Sequence, residues 1–123
     1  MTNENGHKCW WDEELGIARG NVNGILTLES ANGIHHDQDE IIEKYGEGAD
    51  WLIDLSRMKK ANSDARKKIA ELSSDPRVGK FAFYGASIFI RTVVNFMMAA
   101  GHKDNVKHFR AEEEGLAWIR EGD

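Results

Sequence analysis

The stretch that decides the fold is Asp50–Lys68, DWLIDLSRMKKANSDARKK. It opens on Trp51, Leu52, Ile53 and Leu55, a run too short and too apolar for a surface helix and suited to a strand covered on both faces. After Asp54-Leu55-Ser56 the residues become polar and basic, and a polar turn is expected to deliver Asn62-Ser63 to the start of a helix. In that helix, Ser63–Leu72, the residues Ala65, Ile69 and Leu72 share an inward face while Arg66, Lys67 and Lys68 point largely outward. Asp75-Pro76 closes it, because proline disfavours helical geometry in the residue before it. A hydroxyl just past a buried strand, at a helix N-terminus, can serve as a cap, an anion site or a phosphorylation switch. Ser63 is therefore the first functional candidate.

Upstream, Lys8–Trp11 and Leu15–Val22 read as two strands joined by the acidic turn Asp12-Glu13-Glu14, an antiparallel hairpin. From Leu28 the positions Leu28, Ala31, Ile34, Gln38, Ile41, Ile42 and Tyr45 fall at intervals of three or four, which fits a helix despite Gly33. Thr27 is its N-cap and Gly46 ends it. Downstream, Gly79–Tyr84 is a strand, and Gly85-Ala86-Ser87 turns into a helix over Ile88–Ala100. Val106–Phe109 is a short strand and Glu112–Arg120 a last helix. A hairpin followed by strand and helix in alternation implies an α/β domain with a mixed, mostly parallel sheet and right-handed crossovers.

The chain has 123 residues, 41% of them hydrophobic and 30% charged, with four tryptophans and five phenylalanines. That length suits one domain with one core, here residues 1–123 with a flexible leading segment over 1–7. Cys9 is the only cysteine, which excludes an internal disulfide and a cysteine-rich zinc site. No apolar signal core or membrane span is visible, so a cytoplasmic chain is expected. The net charge of −5 argues against a dedicated nucleic-acid binder. The charge is nevertheless segregated: residues 1–56 carry 3 basic and 12 acidic side chains, residues 57–110 carry 12 and 4, and residues 111–123 carry 1 and 5. Mutual facing of these segments in the fold accounts for the pattern most simply.

Four groups of residues together resemble one family. They are Gly24-Ile25-Leu26-Thr27 before the first helix; Leu52-Ile53-Asp54-Leu55 followed by Ser63-Asp64-Ala65-Arg66; Phe81-Ala82-Phe83-Tyr84-Gly85 with Arg91 and Phe96; and Val106-Lys107-His108-Phe109 with Glu112–Ile119, EEEGLAWI. The pattern is similar to the SpoIIAA-like (STAS-like) domains. The resemblance covers the chain from about Trp10 onward. It implies a small α/β sandwich with helices mainly on one face of the sheet, related to anti-sigma-factor antagonists and to the CRAL-TRIO lipid-carrier fold. It also implies a non-enzymatic regulatory or protein-interaction role. In the antagonists a serine after an aspartate at the start of the second helix is phosphorylated by a partner kinase, and Ser63 stands in that place. Three neighbours differ: Asn62 replaces the aspartate, Asp64 the second serine and Ala65 a glycine. At the last helix, Ala111 stands where relatives carry a capping threonine, and Gly115 lies in the helix interior, so each is expected to weaken it by about 1 kcal/mol.

Other constellations are weaker. The N-termini of the Ser63 and Ile88 helices are expected at one edge of the sheet, where open α/β folds bind ligands. Asn62, Ser63, Gly85 and Ser87, with Arg66 or Arg91, would offer donors and charge to a small anion there; the simpler reading makes Ser63 and Ser87 helix caps. His35 with Asp39 and His36 with Glu40 have i, i+4 spacing for one edge of a metal site, but two ligands fit a solvated helix face better. Arg57, Lys59, Lys60, Arg66, Lys67 and Lys68 form a basic cluster without interleaved aromatics. It is expected to face the acidic side of the first helix, with Asp37, Glu40, Glu43 and Glu47. Met97-Met98 with Phe89, Val93, Val94 and Phe96 is apolar over more of its helix than one core face needs, which points to a homodimer. Ser63 has no foreseeable general base, and no pattern calls for a cofactor. The alternative to a regulatory domain is a carrier of a small anionic or lipid-like ligand.

Overall fold

Alternation within the apolar runs sets the layers. Trp51 and Ile53 point to one face of the sheet and Leu52 to the other, as do Phe81 and Phe83 against Ala82, so both faces need a cover. The computed structural model describes residues 6–88, 90–92, 94–95 and 105–121. In it, β1 (Gly6–Asp12) and β2 (Ile17–Leu26) form the antiparallel hairpin, and β3 (Ala49–Ala61), β4 (Val78–Tyr84) and β5 (Val106–Phe109) are added in parallel, giving the order β1-β2-β3-β4-β5. The helices are α1 (Leu28–Tyr45), α2 (Ser63–Ser73), α3, whose described helical residues are 88, 90–92, 94 and 95, and α4 (Glu112–Arg120). Parallel strands laid down in sequence with one crossover hand carry their helices to one side. Accordingly α1, α2 and α3 supply the main core, while α4, after the last strand, covers the opposite face with Ile119 against Leu52 and Ala82. The fold is the expected small α/β sandwich.

Local chemistry fixes the helix ends. Thr27 Oγ1 accepts from the Ser30 N–H at 3.1 Å, and the Gly46 N–H donates to Ile42 O at φ +99°. At α4, Ala111 makes no side-chain cap, as expected. Gly115 has a role beyond its helix penalty: a Cβ there would lie 2.9 Å from Leu52 Cδ1, on a fully buried leucine, so glycine sets how closely α4 approaches the sheet. The missing N-cap is offset at the other end. Lys80 Nζ donates to the carbonyls of Trp118, at 2.7 Å, and of Ile119 and Glu121, placing a cation on the negative end of the helix.

Two expectations need correction. Gly6 and His7, assigned to the flexible leading segment, are paired in β1 with Asn23 and Val22. The polar turn before α2 is strand: β3 runs on to Ala61, beside β2. Two bulges explain why the sequence hides this. Between Asp54 and Arg57, and again between Met58 and Lys60, β3 spends one residue more than β2. Each extra residue changes the period locally from two to three, so Leu55, Met58 and Ala61 are all buried while Ser56, Arg57, Lys59 and Lys60 are exposed. A strand with that pattern does not look alternating.

Candidate functional site

The end of this long strand places Ser63. Asn62 is the N-cap residue of α2, with extended backbone and its N–H donating to Leu26 O at 3.0 Å, but its side chain caps nothing. Ser63 follows as the first helical residue, exposed, its hydroxyl without a hydrogen-bond partner among the described residues. Asp64 Oδ1 accepts from the Ala65 N–H at 2.8 Å, which puts a carboxylate on the positive end of the helix. Arg66 turns back to the strand, Nη1 donating to Ala61 O at 3.3 Å. Ser63 thus sits at a helix end with an open hydroxyl, next in sequence to the Asp64 carboxylate and three residues before Arg66.

Gly85, Ser87 and Arg91 lie elsewhere. Gly85, at φ +80°, passes so close to β3 that a Cβ would lie 3.0 Å from Ser56 Cβ, and its N–H donates to Phe109 O. Ser87 caps α3: its Oγ accepts from the Ile90 N–H and its carbonyl from the Arg91 N–H. The half-buried Arg91 has an enclosed Nε without a partner among the described residues, and His108 beside it has its Nε2 in the same condition. Burial first, then the Arg91 charge, lowers the His108 pKa. β4 stops at Tyr84, opposite Asp54 and Asn21, whereas β3 continues to Ala61, opposite Leu26. The five residue steps of β2 from Asn21 to Leu26 span about 17 Å. The single anion corner expected from Asn62, Ser63, Arg66, Gly85, Ser87 and Arg91 is therefore two separate places, because the overhang of β3 divides them.

The basic cluster does not form the expected ion pairs with the acidic side of α1. None of Arg57, Lys59, Lys60, Arg66, Lys67 and Lys68 makes an ion pair among the described residues. Arg77 reaches α1 instead, with Nη2 at 2.8 Å from Asp39 and 2.7 Å from Asp75, whose carboxyl it holds below the usual range. The His35–Asp39 and His36–Glu40 pairs form at 3.4 and 3.1 Å, with Asp39 shared by Arg77, and no group of three metal-ligating side chains occurs among the described residues. Met97, Met98 and Phe96 lie outside the described residues, and so do the side chains of Phe89 and Val93.

One constellation escapes the sequence. His7 and Cys9 on β1 converge on Asp37 of α1: His7 Nε2 is 3.3 Å from the carboxylate, and the His7 ring lies where a Cβ on Gly33 would be. Cysteine, histidine and aspartate invite a nucleophilic reading, but burial first and then Asp37 push the Cys9 thiol up to about 12. The neutral, hydrogen-bond-donating form of the thiol is favoured there. Gly33 makes room for the His7 ring where α1 meets β1, a role that its place in the helix does not reveal from sequence.

The main core leaves an apolar cavity of about 30 Å³ between the sheet and its helices, lined by Leu26, Ile34, Leu55, Met58, Ile69 and Val94 among others. That is room for about one water molecule.

A family model described as a domain of unknown function (DUF7793) matches residues 10–122. Among solved structures, an uncharacterized protein of the DUF3478 family with a SpoIIAA-like fold, from Shewanella loihica PV-4, is similar with a TM-score of 0.71 at 14% identity, over 97% of this chain and 98% of that one. The anti-sigma factor antagonist SpoIIAA in its unphosphorylated form is similar with a TM-score of 0.67 at 12% identity, over 94% and 99%. No curated protein matches significantly. The chain has the SpoIIAA-like fold, and among the described residues no helix is long and apolar enough to cross a membrane.

Proposed function

We propose, from the premise that this chain belongs to the DUF7793 family, a domain of unknown function, that it is a non-enzymatic regulatory or protein-interaction domain whose working edge is the N-terminus of α2. The observation that carries this reading is the exposed, unpartnered hydroxyl of Ser63 at a helix end, two residues beyond a basic strand. A phosphate there would meet the positive end of the α2 dipole and the Arg66 guanidinium, with Asp64 opposing it. The likeness in fold to the anti-sigma factor antagonist supports a regulatory role. The neutral Cys9 thiol and the caps made by Ser87 argue against catalysis at the other clusters.

The carrier alternative needs an apolar cavity of ligand size; among the described residues the core cavity of about 30 Å³ is too small for an acyl chain, and the more open pocket of about 210 Å³ between β1 and α1, beside Trp10, Trp11, Asp37 and Tyr45, is as polar as it is apolar. The reading includes self-association beside the start of α3, where Ile88 is 79% exposed. The working edge is tested by affinity purification of the tagged chain from its own host, with wild type, Ser63→Ala and Ser63→Glu compared by quantitative mass spectrometry. A partner held by wild type and Ser63→Ala but released by Ser63→Glu is the expected result. Identical partner sets for all three proteins would remove Ser63 from the working edge.

A further inference from the structure

We propose that the free edge of β3, Arg57–Lys60, which ends where Arg66 Nη1 donates to Ala61 O, takes up an extended acidic segment of a partner protein as an added strand. The inference deepens the interaction reading above and rests on it, since this edge leads directly to Ser63. Its basis is the unequal length of neighbouring strands. β3 pairs with β4 only as far as Asp54 opposite Tyr84, and the Gly85 turn then lies against Ser56. From Arg57 onward β3 pairs with β2 on one side, and no strand of the described residues pairs with its other side. Backbone N–H and C=O groups on such a side are a template for another chain.

The side chains select the occupant. Arg57, Lys59 and Lys60 are exposed and without ion pairs among the described residues, whereas Met58 and Ala61 are anchored in the core. A second copy pairing edge to edge would set these cations against their own counterparts, which is unfavourable. Single-stranded nucleic acid would need aromatic platforms, and this segment has none. An acidic strand satisfies both demands: its backbone completes the ladder and its carboxylates meet the three cations. Lysines on an exposed edge also guard against aggregation, and here that guard and the selectivity for acid are the same residues.

The test uses the full chain and a fluorescent synthetic peptide alternating glutamate with valine. A lysine–valine peptide and heparin are the controls, at low salt. Binding of the glutamate peptide is expected to exceed that of the lysine peptide by at least about tenfold, to slow amide exchange over residues 57–60, and to fall by about tenfold in the Lys59→Glu, Lys60→Glu double variant. Circular dichroism verifies that the variant is folded. Absence of peptide binding would overturn the proposal and leave the lysines as guards alone. Heparin binding equally well without amide protection would also overturn it, since a simple cationic patch suffices for that. A host partner that still depends on Ser63 while the peptide fails would sink the edge assignment and leave the working edge at α2 standing.

Discussion

Cys9 shows how a single residue changes meaning between sequence and fold. Alone in the sequence it excludes a disulfide, whereas in the structure it is a thiol donor held against Asp37, with the His7 ring on the other side of that carboxylate. Its folded pKa is raised from 9.0 to about 12, so between these values the folded chain holds a proton that the unfolded chain has lost. Stability from this group is therefore complete below about pH 9 and falls as pH rises toward 12, with a limiting slope of about 1.4 kcal/mol per pH unit. Urea denaturation of wild type and Cys9→Ala at pH 7, 9 and 11 checks it. The difference between the two proteins is expected to shrink or invert as pH rises; parallel curves would mean that the thiol titrates alike in both states. Nothing local marks this cluster, because His7 and Cys9 lie far from Asp37 in the chain and meet it only when β1 docks on α1. The helix boundaries were legible for the opposite reason: Thr27 and Gly46 act within one turn of themselves.

Among the elements, β3 separates what pattern can reveal from what pairing imposes. Trp51, Leu52 and Ile53 announce a strand buried on both faces, and the registers with β2 and β4 bear that out. The continuation to Ala61 is not legible, because a bulge arises from the pairing of two strands and neither sequence shows it alone. The candidate corner joining Ser63 to Gly85 failed with it, since a turn after Ser56 would have brought α2 and α3 together. Bulging assigns each residue of the overhang to a side, and mutation can read that assignment. Met58→Ala removes a buried side chain beside the small core cavity and is expected to cost about 2 kcal/mol, while Lys59→Ala should stay within about 0.5 kcal/mol. Thermal or urea unfolding of both variants decides: equal effects would show that the period of three is wrong and that this segment does not pack as a bulged strand.

At the scale of the whole molecule the two cores are unequal, and so are their fastenings. The main core is shared by three helices and all five strands, while the second consists of α4 on a few side chains of the sheet, with Leu52, Ala82 and Ile119 at its centre. A nine-residue helix lacking an N-cap and containing glycine has little stability of its own. It is tied at both ends by charge. The Arg19 guanidinium on β2 holds Glu112 at the start of the helix, and the Lys80 ammonium on β4 holds the carbonyls at its end. These ties span long stretches of sequence, so α4 is anchored by strands that fold around the other core, and it should be the first part of the molecule to open. Arg19→Met and Lys80→Met keep most of the apolar length of each side chain and remove the charge. In native-state hydrogen exchange each is expected to speed exchange of the α4 amides several-fold while the buried turns of α1 keep nearly wild-type protection. Equal loss of protection in α1 and α4 would mean that the two faces of the sheet unfold as one unit and that the clamps act on global stability alone.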